Sequence, residues 1–220
     1  MSQASTKSTL KWIVIVIVGM TALGWAVVVR LFYPADEYRV ARELSMRGFT
    51  VHYIWPDGNW IWYRPTSVKG DGRRITSHES QLFCQLPRLY NLIFLSCDAS
   101  SLNLDEIGNC QKLRFFHCVK VTHFPVNELK KLAACPVVTI HVESKDVDLN
   151  DSDLEEFAKF THLKDISLEF NNIGVTNACL EYFEKIPTLE SLWLRGSSIT
   201  PEGVEEFKKK RPDVYVVEFE

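Results

Sequence analysis

The chain is 220 residues long, with 24% charged residues and a formal net charge of −3. This length accommodates one compact domain and a short appendage. The slightly acidic balance, with no basic stripe, argues against a nucleic-acid partner. The one basic run, at residues 208–211, falls in the last turn of a predicted helix, where cations complement the helix dipole.

A continuous apolar segment near the N terminus carries no charge between Lys11 and Arg30. As a helix, residues 12–29 span about 27 Å, close to the ~30 Å hydrocarbon core of a bilayer. A cleaved signal peptide is the alternative, but its apolar part is typically only ~7–15 residues long and ends in small residues. We therefore expect a polar tail at residues 1–11 and an uncleaved transmembrane helix at residues 12–33.

The charges around this segment leave the membrane side of the following domain open. More basic residues follow the segment than precede it, which favours a cytoplasmic domain. A short tail with two lysines is also the usual start of a signal anchor that exports the domain behind it. The basic residues counted are Lys7 and Lys11 before the segment, and Arg30, Arg39, Arg42 and Arg47 after it.

Residues 34–81 predict an N-terminal cap. A helical pattern over residues 37–46 is followed by Gly48, a typical helix end. Alternating apolar residues at 49–55, the turn sequence PDGN and an aromatic run at 60–63 predict a β-hairpin. Such elements cover the core edge that the first repeat of a solenoid would otherwise expose.

A polar, glycine-bearing loop is predicted at residues 67–74, and a helix at residues 77–86 leads into the first strand of the repeats. The aromatic residues of the hairpin allow a second interpretation. Trp55, Trp60 and Trp62 would form a platform for a carbohydrate or a peptide, whereas aromatic residues in capping elements usually belong to the core.

Residues 82–220 repeat with a spacing of 24 to 26 residues, within the ~20–29 residues of a leucine-rich repeat. The apolar spacing L-x-x-L-x-L predicts one strand per unit, with its fourth and sixth positions in a shared core. Between strands, apolar residues near period 3.6 predict helices. This alignment places Val217 and Phe219 of the last unit in the core. The motifs begin at Leu89, Leu113, Val137, Leu163, Leu189 and Val214.

Two motifs carry a resemblance to a known family. LKDISLEFN at residues 163–171 matches L-x-x-L-x-L-x-x-N in full, and SITPEGV at residues 198–204 is similar to the connector I-T-D-x-G-L. The chain thus resembles bacterial membrane-anchored proteins with ribonuclease-inhibitor-like leucine-rich repeats. The resemblance implies an α/β solenoid with parallel strands on a concave face and helices on a convex face. With residues 12–33, it implies a single-pass protein of the bacterial inner membrane.

The third, fifth and seventh motif positions are expected on the concave face. That face is apolar at its N-terminal end, acidic in the middle, and carries a tryptophan beside an arginine near its C-terminal end. Exposed apolar patches mark interfaces, where aromatic residues and arginine dominate binding. We therefore predict a non-catalytic module for a protein or peptide partner. The predicted contact residues are Ile93, Leu95, Phe115, Val119, Trp193 and Arg195.

Two histidines offer an enzyme-class alternative. His117 and His141 occupy the fifth position of adjacent strands, beside Glu143 and Asp165. Two imidazoles and a carboxylate can hold a transition metal. No serine or cysteine nucleophile with a matched base lies beside them, so we expect no catalysis and no cofactor. A third interpretation is a passive envelope protein whose apolar patch docks the N-terminal hairpin.

The six cysteines form no C-x-x-C pair, so the sequence favours neither a zinc site nor a thioredoxin-like site. Most are predicted to be buried apolar thiols. Cys110 and Cys135 end successive predicted helices, and a disulfide between them would require an exported domain.

Overall fold

The computed structural model describes residues 35–54, 64–195 and 197–217. Within these ranges one sheet of eight strands follows the order of the sequence. The first pair is antiparallel, and all later neighbours are parallel. The fold is an α/β repeat whose parallel sheet fits a solenoid. The strands are β1 (Thr50–Ile54), β2 (Arg64–Asp71), β3 (Asn91–Leu95), β4 (Phe115–Val119), β5 (Thr139–Asn150), β6 (Asp165–Gly174), β7 (Ser191–Arg195) and β8 (Tyr215–Val216).

A short helical segment connects each pair of parallel strands. The α-helices are α1 (Ala35–Met46), α2 (Ser77–Cys84), α3 (Leu104–Gly108), α4 (Asp151–Leu154), α5 (Leu180–Glu184) and α6 (Pro201–Lys210). The 3₁₀ helices are Val126–Ala134, Glu155–Lys159 and Asn177–Cys179. Asn150, Thr176 and Thr200 cap three of these segments, because each side chain accepts a hydrogen bond from a backbone N–H of the first turn.

The inner face of the sheet follows the predicted register through five strands. Leu92, Phe116, Ile140, Ile166 and Leu192 lie side by side on β3 to β7. All five are at most 1% exposed, and they share one core with the apolar side chains of the connecting helices. Each repeat therefore buries its strand against its neighbours and its own helix.

The segment predicted as a loop, residues 67–74, instead supplies most of β2. This strand lies between β1 and β3. Val68 and Gly70 are buried on its inner side. A Cβ atom placed on Gly70 would lie 2.8 Å from Cε1 of Phe49, so the glycine makes room for that ring. Because the inner side holds one valine and one glycine, the strand lacks the apolar alternation by which strands are predicted.

The last strand lies one residue earlier than predicted. Leu192 of β7 pairs with Val216, whereas the predicted register pairs it with Val217. Val214 and Val216 are buried, whereas Tyr215 is 67% exposed. The run Val-Tyr-Val-Val offers apolar residues in either alternation, so the repeat pattern does not select between them. The prediction that Val217 lies in the core is wrong.

Several predicted segments lie outside the described residues: the transmembrane helix at residues 12–33, the aromatic run at residues 60–63, Trp55 and Phe219. The first strand of the predicted hairpin is present as β1, and its antiparallel partner is β2. In the part of the chain that the structure describes, no helix is long and apolar enough to cross a bilayer.

Candidate functional site on the open face of the sheet

Successive strand residues point to opposite faces of a sheet. One face packs on the helices, and we call the other the open face. It is the face predicted to be concave, and its central strands show the alternating half-buried and buried pattern. Its residues from β2 to β7 are Ser67, Lys69 and Asp71; Asn91, Ile93 and Leu95; Phe115, His117 and Val119; Thr139, His141 and Glu143; Asp165, Ser167 and Glu169; and Ser191, Trp193 and Arg195.

Four of the six predicted contact residues lie together on β3 and β4. Ile93 and Leu95 are on β3, beside Phe115 and Val119 on β4. All four are half-buried. These four apolar side chains therefore lie on one face of two neighbouring strands, near the N-terminal end of the open face.

Aromatic rings continue this surface toward the middle of the sheet. The Tyr90 and Phe115 ring centroids lie 5.1 Å apart, those of Phe115 and His117 6.2 Å apart, and those of His117 and His141 6.1 Å apart. The two imidazoles are nearly parallel, with 19° between their planes. We call these four residues the ring stack.

Tyr90 is the member of the ring stack that the sequence prediction missed. It is 45% exposed and immediately precedes β3. Only the three strand positions of each motif were assigned to the concave face, and Tyr90 occupies the position before them. The sequence shows that residue 90 is aromatic, but it does not show that the Tyr90 ring packs near the Phe115 ring.

Burial governs the charge state of the two histidines. It lowers the pKa of His117, and the neighbouring imidazole of His141 lowers it further. Burial also lowers the pKa of His141, although Glu143 and Glu169 act in the opposite direction. A histidine with a depressed pKa is neutral at pH 7. The two imidazoles of the ring stack are therefore uncharged at neutral pH.

The other two predicted contact residues form a separate patch on β7. Trp193 is 38% exposed and lies beside Ser167. Nη1 of Arg195 is 3.5 Å from Oε2 of Glu169, whose Oε1 atom is 3.2 Å from Nζ of Lys145. Because β7 is three strands from β4, Trp193 lies about 14 Å across the sheet from His117, which occupies the same row, and Phe115 lies two residues back along β4. The six contact residues thus form two patches with an acidic zone between them.

The predicted metal ligands do not converge. His117 and His141 stack face to face, and Oδ2 of Asp165 accepts a hydrogen bond of 3.3 Å from Oγ1 of Thr139. Glu143 affects His141 only through its charge. Within the described ranges, no group of three or more His, Cys, Asp or Glu side chains is placed to hold a metal ion.

The six cysteines are free thiols, five of them buried and Cys84 half-buried. A hydrogen bond with Cys84, together with burial, raises the pKa of the Cys110 thiol. Burial raises the pKa of Cys135 to about 11. Both groups are therefore protonated at neutral pH, in the form that is a poor nucleophile and a poor metal ligand.

Comparison with known proteins finds matches among solved structures. No protein-family model and no curated protein matches the sequence. Among the matching solved structures is a leucine-rich-repeat protein of Leptospira interrogans, with 14% sequence identity and a TM-score of 0.26. The match covers 63% of this chain and 51% of that chain, so it spans about half of the neighbour's length. So low a TM-score supports no functional argument; the repeat architecture rests on the strand register described above.

Proposed function

We propose that this chain is a non-catalytic, membrane-anchored leucine-rich-repeat module that binds a protein or peptide through its open face. The ring stack is the observation that carries the proposal. Tyr90, Phe115, His117 and His141 are partly exposed, and their ring centroids follow one another at 5.1 to 6.2 Å along the open face. Rigid aromatic surface of this kind gives large contact area at little conformational-entropy cost.

The spacing of the two patches supports an extended segment as the ligand. Trp193 lies about 14 Å across the strands from His117 of the ring stack. Four or five residues of an extended chain cover that distance at ~3.3 Å per residue. A ligand with one apolar side chain on the ring stack and another on Trp193 would use both patches. Within the described residues Glu143 forms no ion pair, so its carboxylate favours a basic group between the two anchors.

Selection from a random peptide library displayed on phage tests this proposal. The target is the full chain in detergent, and the readout is the rate at which diethyl pyrocarbonate modifies each histidine. We expect a selected peptide to protect His117 and His141. His162 is exposed and lies outside the open face, so its reactivity provides the matched control and should not change. Failure to select a binder, or equal reactivity of His117 and His141 with and without peptide, would contradict the proposal.

The membrane part of the proposal rests on residues 12–33 and the charges that flank them. We infer that this segment anchors the chain in a bacterial inner membrane. Extraction of membranes with alkaline carbonate tests the anchor separately from ligand binding. An anchored chain stays with the bilayer, whereas recovery of the chain in the supernatant would exclude a membrane-spanning helix.

A further inference from the structure

The solvent-facing side of α1 carries a row of side chains that packing of the core does not require. Val40, Ala41 and Leu44 are at most 1% exposed and attach the helix to the core. Arg39, Arg42 and Met46 lie on the opposite side, where the spacing i, i+3, i+7 places them on one stripe. We call these three residues the outer stripe of α1.

The outer stripe combines two basic side chains with an exposed apolar one. Met46 is 73% exposed, more than the other large apolar side chains exposed among the described residues. With Arg39, Arg42, Glu43 and Arg47 it lines a shallow concavity of about 560 Å³. An arginine pair beside a protruding methionine suits an interface that is anionic at its surface and apolar just below it.

The acidic residues near the outer stripe are largely engaged. Oε1 of Glu43 lies 3.2 Å from Nη2 of Arg47 and 3.1 Å from Nε2 of His78. Accordingly, the His78 hydrogen bond and the Arg47 charge keep the pKa of Glu43 below its ordinary value. Asp36 approaches Nε of Arg39 only at 3.8 Å, and Arg42 forms no ion pair within residues 35–54 and 64–195. Among the described residues, Arg42 is therefore the arginine of the outer stripe whose charge no carboxylate pairs with.

The position of α1 in the chain identifies the surface that it meets. The predicted membrane segment ends at residue 33, and α1 begins at Ala35. Two residues span at most about 7 Å, which is shorter than the Debye length of ~8 Å at physiological salt. Arg39 follows one turn into the helix. The arginines of the outer stripe are thus within range of the surface potential of the bilayer in which residues 12–33 are proposed to be anchored.

We propose that α1 lies along the bilayer, with Arg39 and Arg42 binding the phosphates of anionic phospholipids and Met46 entering the headgroup layer. This inference rests on the proposed anchor at residues 12–33. If α1 stood upright, Met46 would lie about 16 Å beyond the start of the helix. The parallel orientation instead brings the whole outer stripe into contact and covers its exposed methionine.

The full chain reconstituted in nanodiscs tests this contact. A Cys84→Ser background leaves only buried native thiols, so that a polarity-sensitive fluorophore reports from Met46→Cys. We expect emission at shorter wavelength in discs with anionic phospholipid than in purely zwitterionic discs, and a return to longer wavelength in high salt. The same probe at the exposed Lys209→Cys site of α6 should show no difference.

Charge removal provides the matched comparison. Arg39→Ser with Arg42→Ser should abolish the emission shift, whereas Lys112→Ser with Lys209→Ser removes equal charge from exposed sites outside α1 and should leave it intact. A chain retained in the disc with the same emission in both lipids, or a shift that survives loss of both arginines, overturns this contact but not the anchor. A chain that elutes free of lipid removes the anchor and this contact together.

Discussion

The two faces of the sheet are built from alternate residues of the same strands. The inner face keeps the same kind of residue from one repeat to the next, whereas the open face does not. On the inner face, Leu92, Phe116, Ile140, Ile166 and Leu192 are all large, apolar and at most 1% exposed. The open face changes from apolar at β3 and β4 to acidic and ion-paired at β6 and β7. The repeat keeps the inner face constant because neighbouring units share it. The open face is under no such constraint, so its residues can differ from one repeat to the next.

The largest expected effect on stability comes from the inner face. Leu168 is 1% exposed, so Leu168→Ala should lower the free energy of unfolding by about 2–5 kcal/mol, through lost burial and the cavity left behind. Its neighbour on the open face, Ser167, provides the control, and Ser167→Ala should stay within about 0.5 kcal/mol. Denaturant unfolding of the solubilised chain measures both. If both variants lower the free energy of unfolding by similarly small amounts, the two faces do not differ in burial as described.

A smaller effect is expected where the cap joins the repeats. Gly70→Ala places a Cβ atom 2.8 Å from the Phe49 ring and 3.3 Å from that of Phe94. Overpacking of a core typically costs about 1–3 kcal/mol. Gly72, whose Cβ would meet nothing within 4 Å, is unsuitable as a control because its φ of +58° disfavours alanine. We therefore propose Lys69→Ala on the open face of β2 as the control. Equal stability of Gly70→Ala and the parent would mean that Phe49 does not pack against β2.

The smallest stability effect is expected from the ring stack itself. The folded pKa values of His117 and His141 lie below their ordinary values, so the unfolded chain binds more protons once the pH falls toward 6.5. Stability is then lost as the pH decreases through the ordinary histidine pKa of about 6.5. His117→Gln with His141→Gln should reduce this loss. An identical pH dependence in parent and variant would show that these imidazoles are not buried as described.

The sequence predicts the fold best where the same strand positions are apolar in successive repeats. That pattern predicts which residues of β3 to β7 lie on the inner face and which lie on the open face. The pattern does not predict β2, where Gly70 makes room for the Phe49 ring. It also does not fix the register of β8, where Val216 and Val217 both fit an apolar position. Membership of Tyr90 in the ring stack depends on side-chain packing across repeats. Such contacts join residues about 25 positions apart, and no local spacing encodes them.

The separation of the two patches follows from the repeat pattern, because Phe115 and Trp193 belong to motifs three units apart on one face. The ion pairs between the patches do not follow from it. Lys145 and Arg195 both reach Glu169, which makes the zone between the patches less acidic than a count of carboxylates suggests. These ion pairs depend on how long side chains cross between strands.

The most direct test of the open face as a binding surface is one paired measurement on Phe115→Ser with Trp193→Ser: its melting curve and its affinity for a peptide selected against the parent chain. Aromatic anchors at interfaces are often worth ~2–4 kcal/mol each, so the variant should bind several powers of ten more weakly. Met46→Ser, which removes a more exposed apolar side chain from α1, should bind like the parent. We predict a folded variant with a cooperative melt and no measurable binding. A folded variant that binds with parental affinity would contradict the account.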